Sequence, residues 1–153
     1  MNQIAQLLSP SNIVLDLDAP TKTRLFEGVG ALFARTTSLP QATVTASLVA
    51  REKLGSTGLG QGIAIPHGRI KGLTKATGAF VRLRAPIPFD APDGKPVAQV
   101  FVLLVPEQAT EAHLQLLSEL AQMFSERSFR DQLGAAGDPA ELAQLFAAWE
   151  PAA

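Results

Sequence analysis

The sequence predicts an α/β sandwich, with helices packed over a sheet. Three observations carry this. Segments in which apolar residues alternate, at 13–17 and 76–84, are interleaved with segments in which they recur every three or four residues. Residues 97–105 are almost continuously apolar, as expected of a central strand covered on both faces. The chain has 153 residues, 46% of them apolar. That length suits one domain, residues 1–153, hiding roughly 70% of its unfolded surface.

The elements follow in order. Residues 2–8 are expected to form a short helix. Ile13, Leu15 and Leu17 alternate with Val14, Asp16 and Asp18, which predicts a strand with one buried face. From Thr21 the period changes: Leu25, Val29, Leu32 and Phe33 share one side of a helix, although Gly28 and Gly30 weaken it. Ser38-Leu39-Pro40-Gln41 reads as the next helix start, with Ser38 as cap, Gln41 closing a capping box and Pro40 in the first turn. That helix is expected to run to Leu54 and stop at Gly55, leaving Arg51 and Lys53 at its negative end. A glycine-rich loop over 55–62 leads into a short apolar strand over 62–65, which ends in Pro66-His67-Gly68. In the strand over 76–84, Ala79, Val81 and Leu83 lie on one face and Phe80, Arg82 and Arg84 on the other. Four prolines and an Asp93-Gly94 turn break the segment 86–96. Thr110 is expected to cap a helix on which His113, Leu117, Leu120 and Phe124 share a face. A short helical turn over 128–133 is expected to end at Gly134. Asp138-Pro139-Ala140-Glu141 starts the last helix, with Leu142, Leu145, Phe146 and Trp149 as its apolar stripe.

Composition excludes several kinds of chemistry. The chain has no Cys, which removes disulfides, thiolate metal sites, thiol nucleophiles and iron–sulfur clusters. It has no Tyr, and its 2 His cannot build a three-His zinc site. The formal net charge of −1 gives no reason to expect nucleic acid as a ligand. The first basic side chain is Lys22, and the longest apolar run is residues 100–105, so neither a leader nor a membrane insertion is expected. The expected location is the cytoplasm.

Gly55-Ser56-Thr57-Gly58-Leu59-Gly60-Gln61-Gly62 invites a nucleotide-binding reading, but its spacing is wrong. No Gly-Lys-Ser/Thr follows, a third glycine three residues beyond Gly60 is missing, and the loop follows a helix rather than a strand. It is either a flexible connection or a loop that shapes a site. His67 lies directly after it, following an apolar strand and Pro66, with Gly68 leaving room for a partner. Between Lys53 and Arg69 it is the only ionisable side chain. It is either a histidine satisfied by backbone or a reactive group. No Gly-x-Ser-x-Gly elbow and no cluster of carboxylates accompanies it. The remaining chemistry is attack by the neutral imidazole on phosphorus, giving a phosphoramidate that can be passed on. At a pKa of ~6.5 most such rings are neutral at pH 7. His113, in the first turn of its helix, is either a half-buried helix residue or a donor of one N–H to a phosphoryl oxygen on His67. Arg51 is either a residue complementing the helix dipole or a planar fork for phosphate oxygens. No cofactor and no metal are expected. The stretch 54–68 is uncharged apart from His67, and Leu59, Ile63 and Ile65 make it a candidate docking surface.

Arg51-Glu52-Lys53-Leu54-Gly55-Ser56-Thr57-Gly58 and Gly60-Gln61-Gly62-Ile63-Ala64-Ile65-Pro66-His67-Gly68 closely resemble the IIA components of the bacterial phosphotransferase system, fructose/mannitol type. Pro88-Phe89-Asp90-Ala91, Pro96-Val97, Leu103-Leu104-Val105-Pro106 and His113-Leu114 extend the resemblance over nearly the whole chain. Leu7-Leu8-Ser9-Pro10, Leu15-Asp16-Leu17 and Lys22, Arg24 and Glu27 look like the nitrogen-regulatory branch, and the chain is expected to be free-standing, with no attached sugar-specific or membrane domain. Two departures stand out: Gln61 replaces an Asn, and Ala98 stands where an acidic residue often follows Pro-Val.

The resemblance implies a mixed sheet flanked by helices, with His67 as the phosphorylated residue and Arg51 and His113 in the same site. It implies a phosphoryl carrier and regulator, more carrier than turnover enzyme. Its donor would be an HPr-like, nitrogen-specific phosphocarrier, and its targets potassium-transport or sensor-kinase systems. The alternatives are a sugar-specific IIA subunit passing phosphate to a IIB protein, and a binding module on the same fold without phosphorylation.

Overall fold

Ile13–Leu17 (β1) opens a six-stranded sheet completed by Gly58–Gly60 (β2), Ile63–Ala64 (β3), His67–Ile70 (β4), Thr77–Ile87 (β5) and Val97–Pro106 (β6). The computed structural model describes residues 2–108 and 111–151. The helices are Lys22–Thr37 (α1), Gln41–Lys53 (α2), Glu111–Ser125 (α3), Arg127–Ala135 (α4) and Pro139–Ala148 (α5). The strand order is β1-β5-β6-β3-β2, with β4 also on β6. The sheet is mixed: β1 runs parallel to β5, β5 antiparallel to β6, and β3 and β4 parallel to β6.

β5 and β6 divide their side chains between two cores. Ala79, Val81, Val100, Val102 and Leu104 face α1 and α2, together with Leu25, Phe26, Phe33 and Leu48. Phe80, Phe101 and Leu103 face the other layer, built from α3, α4 and α5. There Phe146 lies 5.3 Å from Phe80, 5.5 Å from Phe101 and 5.4 Å from Phe129 between ring centroids. Tilted and edge-on contacts of this kind stabilise by about 0.5–1.5 kcal/mol each beyond area burial.

The helix starts at Thr21 and Asp138 are as expected. Thr21 accepts the Arg24 N–H at 3.2 Å, and Asp138 accepts the Glu141 N–H at 2.8 Å. The expected cap at Thr110 lies outside the described residues. The glycines of α1 do not break it. A Cβ on Gly30 would lie 2.8 Å from the Gln41 carbonyl oxygen, so its absence lets α1 and α2 approach closely. α4 ends at Ala135, one residue past the stop expected at Gly134, and Arg82 closes it by donating to the carbonyls of Leu133, Gly134 and Ala136.

The short helix expected over residues 2–8 is a 3-10 turn at Ile4–Gln6, and a second stands at Pro10–Asn12. Three other expectations need correction. Ser38 ends α1 in the left-handed region, at φ 61°, and Pro40 precedes α2, so the chain has only a sharp corner there and no capping box. The Gln41 side chain donates instead to the Glu27 carbonyl, tying α2 to α1. β1 does not keep one buried face: a bulge with Asp16 at φ 56° turns Leu17 to the α1/α2 core, opposite Ile13 and Leu15. Finally, His67 does not end a strand but begins β4. β3 and β4 share one register on β6, with Ile63 opposite Gln99 and His67 opposite Leu103, so they are one line of strand interrupted at Ile65-Pro66, β3 flanked by β2 and β4 left at the sheet's edge. Pro66 has no N–H for the ladder, yet its carbonyl still accepts from Leu103 at 3.0 Å.

Candidate functional site

The three residues singled out in the sequence line one cavity of 430 Å³ at the open edge of β4. His67 comes from the edge strand, Arg51 from the last turn of α2 and His113 from the first turn of α3. α2 and α3 pack on opposite faces of the sheet, so the site is assembled around its edge from both helical layers.

The His67 ring is oriented by its own strand. Nδ1 lies 3.0 Å from the Ile65 carbonyl oxygen. A carbonyl only accepts, so Nδ1 carries the proton and Nε2 carries the lone pair. Arg51 Nε donates to that Nε2 at 3.2 Å, and Arg51 Nη1 donates to the Gly55 carbonyl at 2.8 Å. Burial holds the ring's pKa below the usual 6.5; the Ile65 bond opposes this, the Arg51 charge adds to it and the Glu52 charge opposes it. The neutral ring of a cavity-lining histidine, with its Nε2 lone pair facing Arg51, can act as a nucleophile once that bond is released.

Behind Arg51 lies a group that the sequence did not reveal. Glu52, with a side chain only 8% exposed, accepts from Lys22 Nζ at 2.7 Å and from Thr57 Oγ1 at 2.6 Å. It also accepts the Thr57 N–H at 3.1 Å. Lys22 reaches Asp90 at 3.1 Å and lies 4.7 Å above the centre of the Phe89 ring. Its pKa is raised: burial pulls it down, but the bonds to Glu52 and Asp90 outweigh that. The resemblance had marked Lys22 only as a branch feature. Nothing in the spacing of Lys22, Glu52 and Thr57 shows that they meet.

The glycine loop is a held structure rather than a flexible connection. Gly60 pairs with Ile63 across a two-residue hairpin turn, with Gln61 at φ 58° and Gly62 at φ 80°. Positive φ at both central positions is what a type I′ turn requires. Asp93 accepts the Gln61 N–H at 2.9 Å and the Lys95 N–H at 3.1 Å, which lowers its pKa. Ser56 donates to the Phe89 carbonyl at 2.7 Å. Gly68 lines the cavity and also lets α2 pack closely on β4, since a Cβ there would run into the Ser47 hydroxyl of α2. The expected docking surface also changes. Ile63 and Ile65 are buried, and among the described residues the large apolar side chains left exposed are Leu54, Leu59 and Leu114. Leu54 (85% exposed) and Leu114 (63%) both line the His67 cavity.

A family model described as the EIIA 2 component of the phosphoenolpyruvate-dependent sugar phosphotransferase system matches residues 6–149, and the chain belongs to that family. Over 148 residues it is 45% identical to a nitrogen regulatory protein of Pseudomonas aeruginosa, with 95% of each chain covered. Its fold matches the crystal structure of the nitrogen regulatory protein IIA-Ntr from Neisseria meningitidis with a TM-score of 0.89 and 53% identity, covering 94% of this chain and 99% of that one. The mannitol IIA of Escherichia coli has the same fold, with a TM-score of 0.76 at 23% identity over 90% of this chain and 97% of that one. The expected mixed sheet flanked by helices is therefore the fold of this chain. Among the described residues no helix is long and apolar enough to cross a membrane, and no three His, Cys, Asp or Glu gather as a metal site.

Proposed function

We propose that this chain is a cytoplasmic, single-domain phosphoryl carrier and regulator of a nitrogen phosphotransferase system. Its Nε2 of His67 takes the phosphoryl group from an HPr-like phosphocarrier. The observation that carries the reading is the ring's geometry: the Nδ1 proton is committed to the Ile65 carbonyl at 3.0 Å, which leaves the Nε2 lone pair for attack. The step exchanges one N–P bond for another. Nε2 bonds to phosphorus as the donor's N–P bond breaks, and the donor imidazole leaves neutral. Arg51 Nε–H, which occupies the Nε2 lone pair at rest, must release it and turn to the phosphoryl oxygens. His113 lines the same cavity and donates a ring N–H to another of those oxygens. Kinship to nitrogen regulatory proteins at 45% and 53% identity supports the regulatory branch. Potassium-transport or sensor-kinase systems are targets in keeping with that branch.

The test is incubation with phosphoenolpyruvate and the upstream phosphotransferase proteins. The expected product is singly phosphorylated on His67, acid-labile and stable to base, and His67→Ala stays folded and unlabelled. Undiminished labelling of His67→Ala overturns the assignment. Removal of the label by a IIB protein makes the chain a sugar-specific subunit. No label in the native protein makes it a binding module.

A further inference from the structure

We propose that Glu52 is a positioning residue for the phosphoryl site: its carboxylate pins the turn over residues 52–57, and that turn aims both Arg51 and the His67 ring. The proposal rests on the reading of His67 as phosphoryl acceptor.

Two paths of hydrogen bonds leave the same carboxylate. In the first, Glu52 accepts both the N–H and the hydroxyl of Thr57, at 3.1 and 2.6 Å, and so closes the turn that follows α2. Inside that turn lies the Gly55 carbonyl, which accepts Arg51 Nη1 at 2.8 Å and leaves Arg51 Nε directed at His67. In the second, the Thr57 carbonyl accepts the Ile65 N–H at 3.0 Å, and the Ile65 carbonyl holds His67 Nδ1 at 3.0 Å. The guanidinium and the imidazole are therefore both set by a group that touches neither of their reacting atoms. Lys22, which holds the other side of the carboxylate at 2.7 Å, keeps it in place. A buried carboxylate with this many bonds is costly to assemble and then rigid. That suits a site in which small misplacements of the reacting groups are expensive. Glu52 also bears on the ring through space, since its negative charge favours the protonated imidazole.

The test uses the full chain with Glu52→Gln, Thr57→Val and Thr57→Ser, and Val44→Ala as a control that loosens α2 in its core far from the turn. Two quantities are read: the long-range proton–nitrogen spectrum of the His67 ring, and the initial rate of labelling from the phosphocarrier. The native ring is expected to show the Nδ1–H tautomer, with Nε2 shifted by the Arg51 bond. Folded Glu52→Gln and Thr57→Val are expected to show a mixture of tautomers and a rate lowered about tenfold. Thr57→Ser, which keeps the hydroxyl, and Val44→Ala are expected to keep the native ring spectrum. A native ring spectrum in both folded Glu52→Gln and Thr57→Val overturns the proposal, whatever their rates. If the native protein takes no label, the reading of His67 fails, and the ring spectra still decide whether Glu52 sets the geometry.

Discussion

Arg51 Nε donates to the one ring nitrogen of His67 that has a lone pair to offer, across 3.2 Å. On the proposed reading the guanidinium has two parts: it covers the Nε2 lone pair at rest and stands beside the charge that would form there. Replacing it with a flexible ammonium loses the planar fork. Arg51→Lys is expected to slow phosphoryl acceptance about 10- to 100-fold, the equivalent of one charge-assisted hydrogen bond. Stopped-flow or quenched labelling measures this. A native rate in the folded variant removes Arg51 from the site.

The depressed pKa of His67 sets a pH dependence. The ring is neutral above its lowered pKa, so acceptance is expected to be flat near pH 7–8 and to fall only below the usual 6.5. Stability follows the same sign. Between the folded and the unfolded pKa the unfolded chain binds more protons, so this group's contribution is fully present above 6.5 and is lost as pH falls through the folded value. Arg51→Gln removes one of the causes of the depression and is expected to raise the pKa, as read by NMR titration of the ring. An unchanged or lower pKa in that variant contradicts the 3.2 Å pairing.

Gly68→Ala places a methyl group against Ser47: the hydroxyl must turn away from the Arg69 carbonyl to which it donates at 3.0 Å, and Ser47 Cβ, 3.2 Å from the new methyl, must give way slightly. The expected cost is about 1–3 kcal/mol, typical of overpacking. Because α2 carries Arg51, the labelling rate is expected to fall as well. Combining it with Ser47→Gly, which clears the space, is expected to recover part of both losses. Denaturant unfolding and labelling rates check this, and full stability in Gly68→Ala alone contradicts it.

Gln61 occupies the first central position of the hairpin turn at φ 58°, where Asn is favoured and a longer side chain is not. The departure from the family pattern noted in the sequence is thus a choice of turn residue. Gln61→Asn is expected to stabilise the fold by about 0.5–1 kcal/mol, within the range of such left-handed positions. The bond to Asp93 uses the backbone N–H and survives the change. A loss of stability on denaturant unfolding counts against the turn assignment.

Leu54 and Leu114 flank the cavity and are largely exposed. A phosphoryl group adds about −1.5 to −2 charge between them. A target that docks over His67 by apolar contact is expected to bind the unphosphorylated form more tightly, because the added charge must be desolvated. Leu54→Ser with Leu114→Ser is expected to weaken that binding. Calorimetry with an identified target in both states measures it. Equal affinities, for a target mapped onto His67, exclude this switch.

Much of this fold is legible in the chain. The alternation of Ala79, Phe80 and Val81 gives β5 and its two faces, and Asp138-Pro139 gives the start of α5. The candidate site was legible in its parts: the Pro66-His67-Gly68 run and the resemblance single out His67, Arg51 and His113, and these three line one cavity. What was hidden depends on contacts far apart in the chain. Ser38 has a good capping side chain, yet the corner between α1 and α2 places it in a left-handed conformation where it ends a helix instead. Leu17 follows the alternation, yet a bulge at Asp16 sends it to the other core. Glu52 looks like any acidic residue on a helix until the fold brings Lys22 and Thr57 against it.

The placement of the site at the sheet's edge has a consequence for taking the protein apart. One of its helical residues belongs to the layer above the sheet and the other to the layer below, and only the strand between them is shared. Neither half of the chain holds the whole constellation. A fragment, a graft or a partial unfolding that keeps one layer keeps the histidine on its strand but loses either its guanidinium or its second imidazole. Phosphoryl acceptance, on the proposed reading, would therefore report on the integrity of both layers at once. A designer who transplants this chemistry must carry over the strand together with both of its coverings.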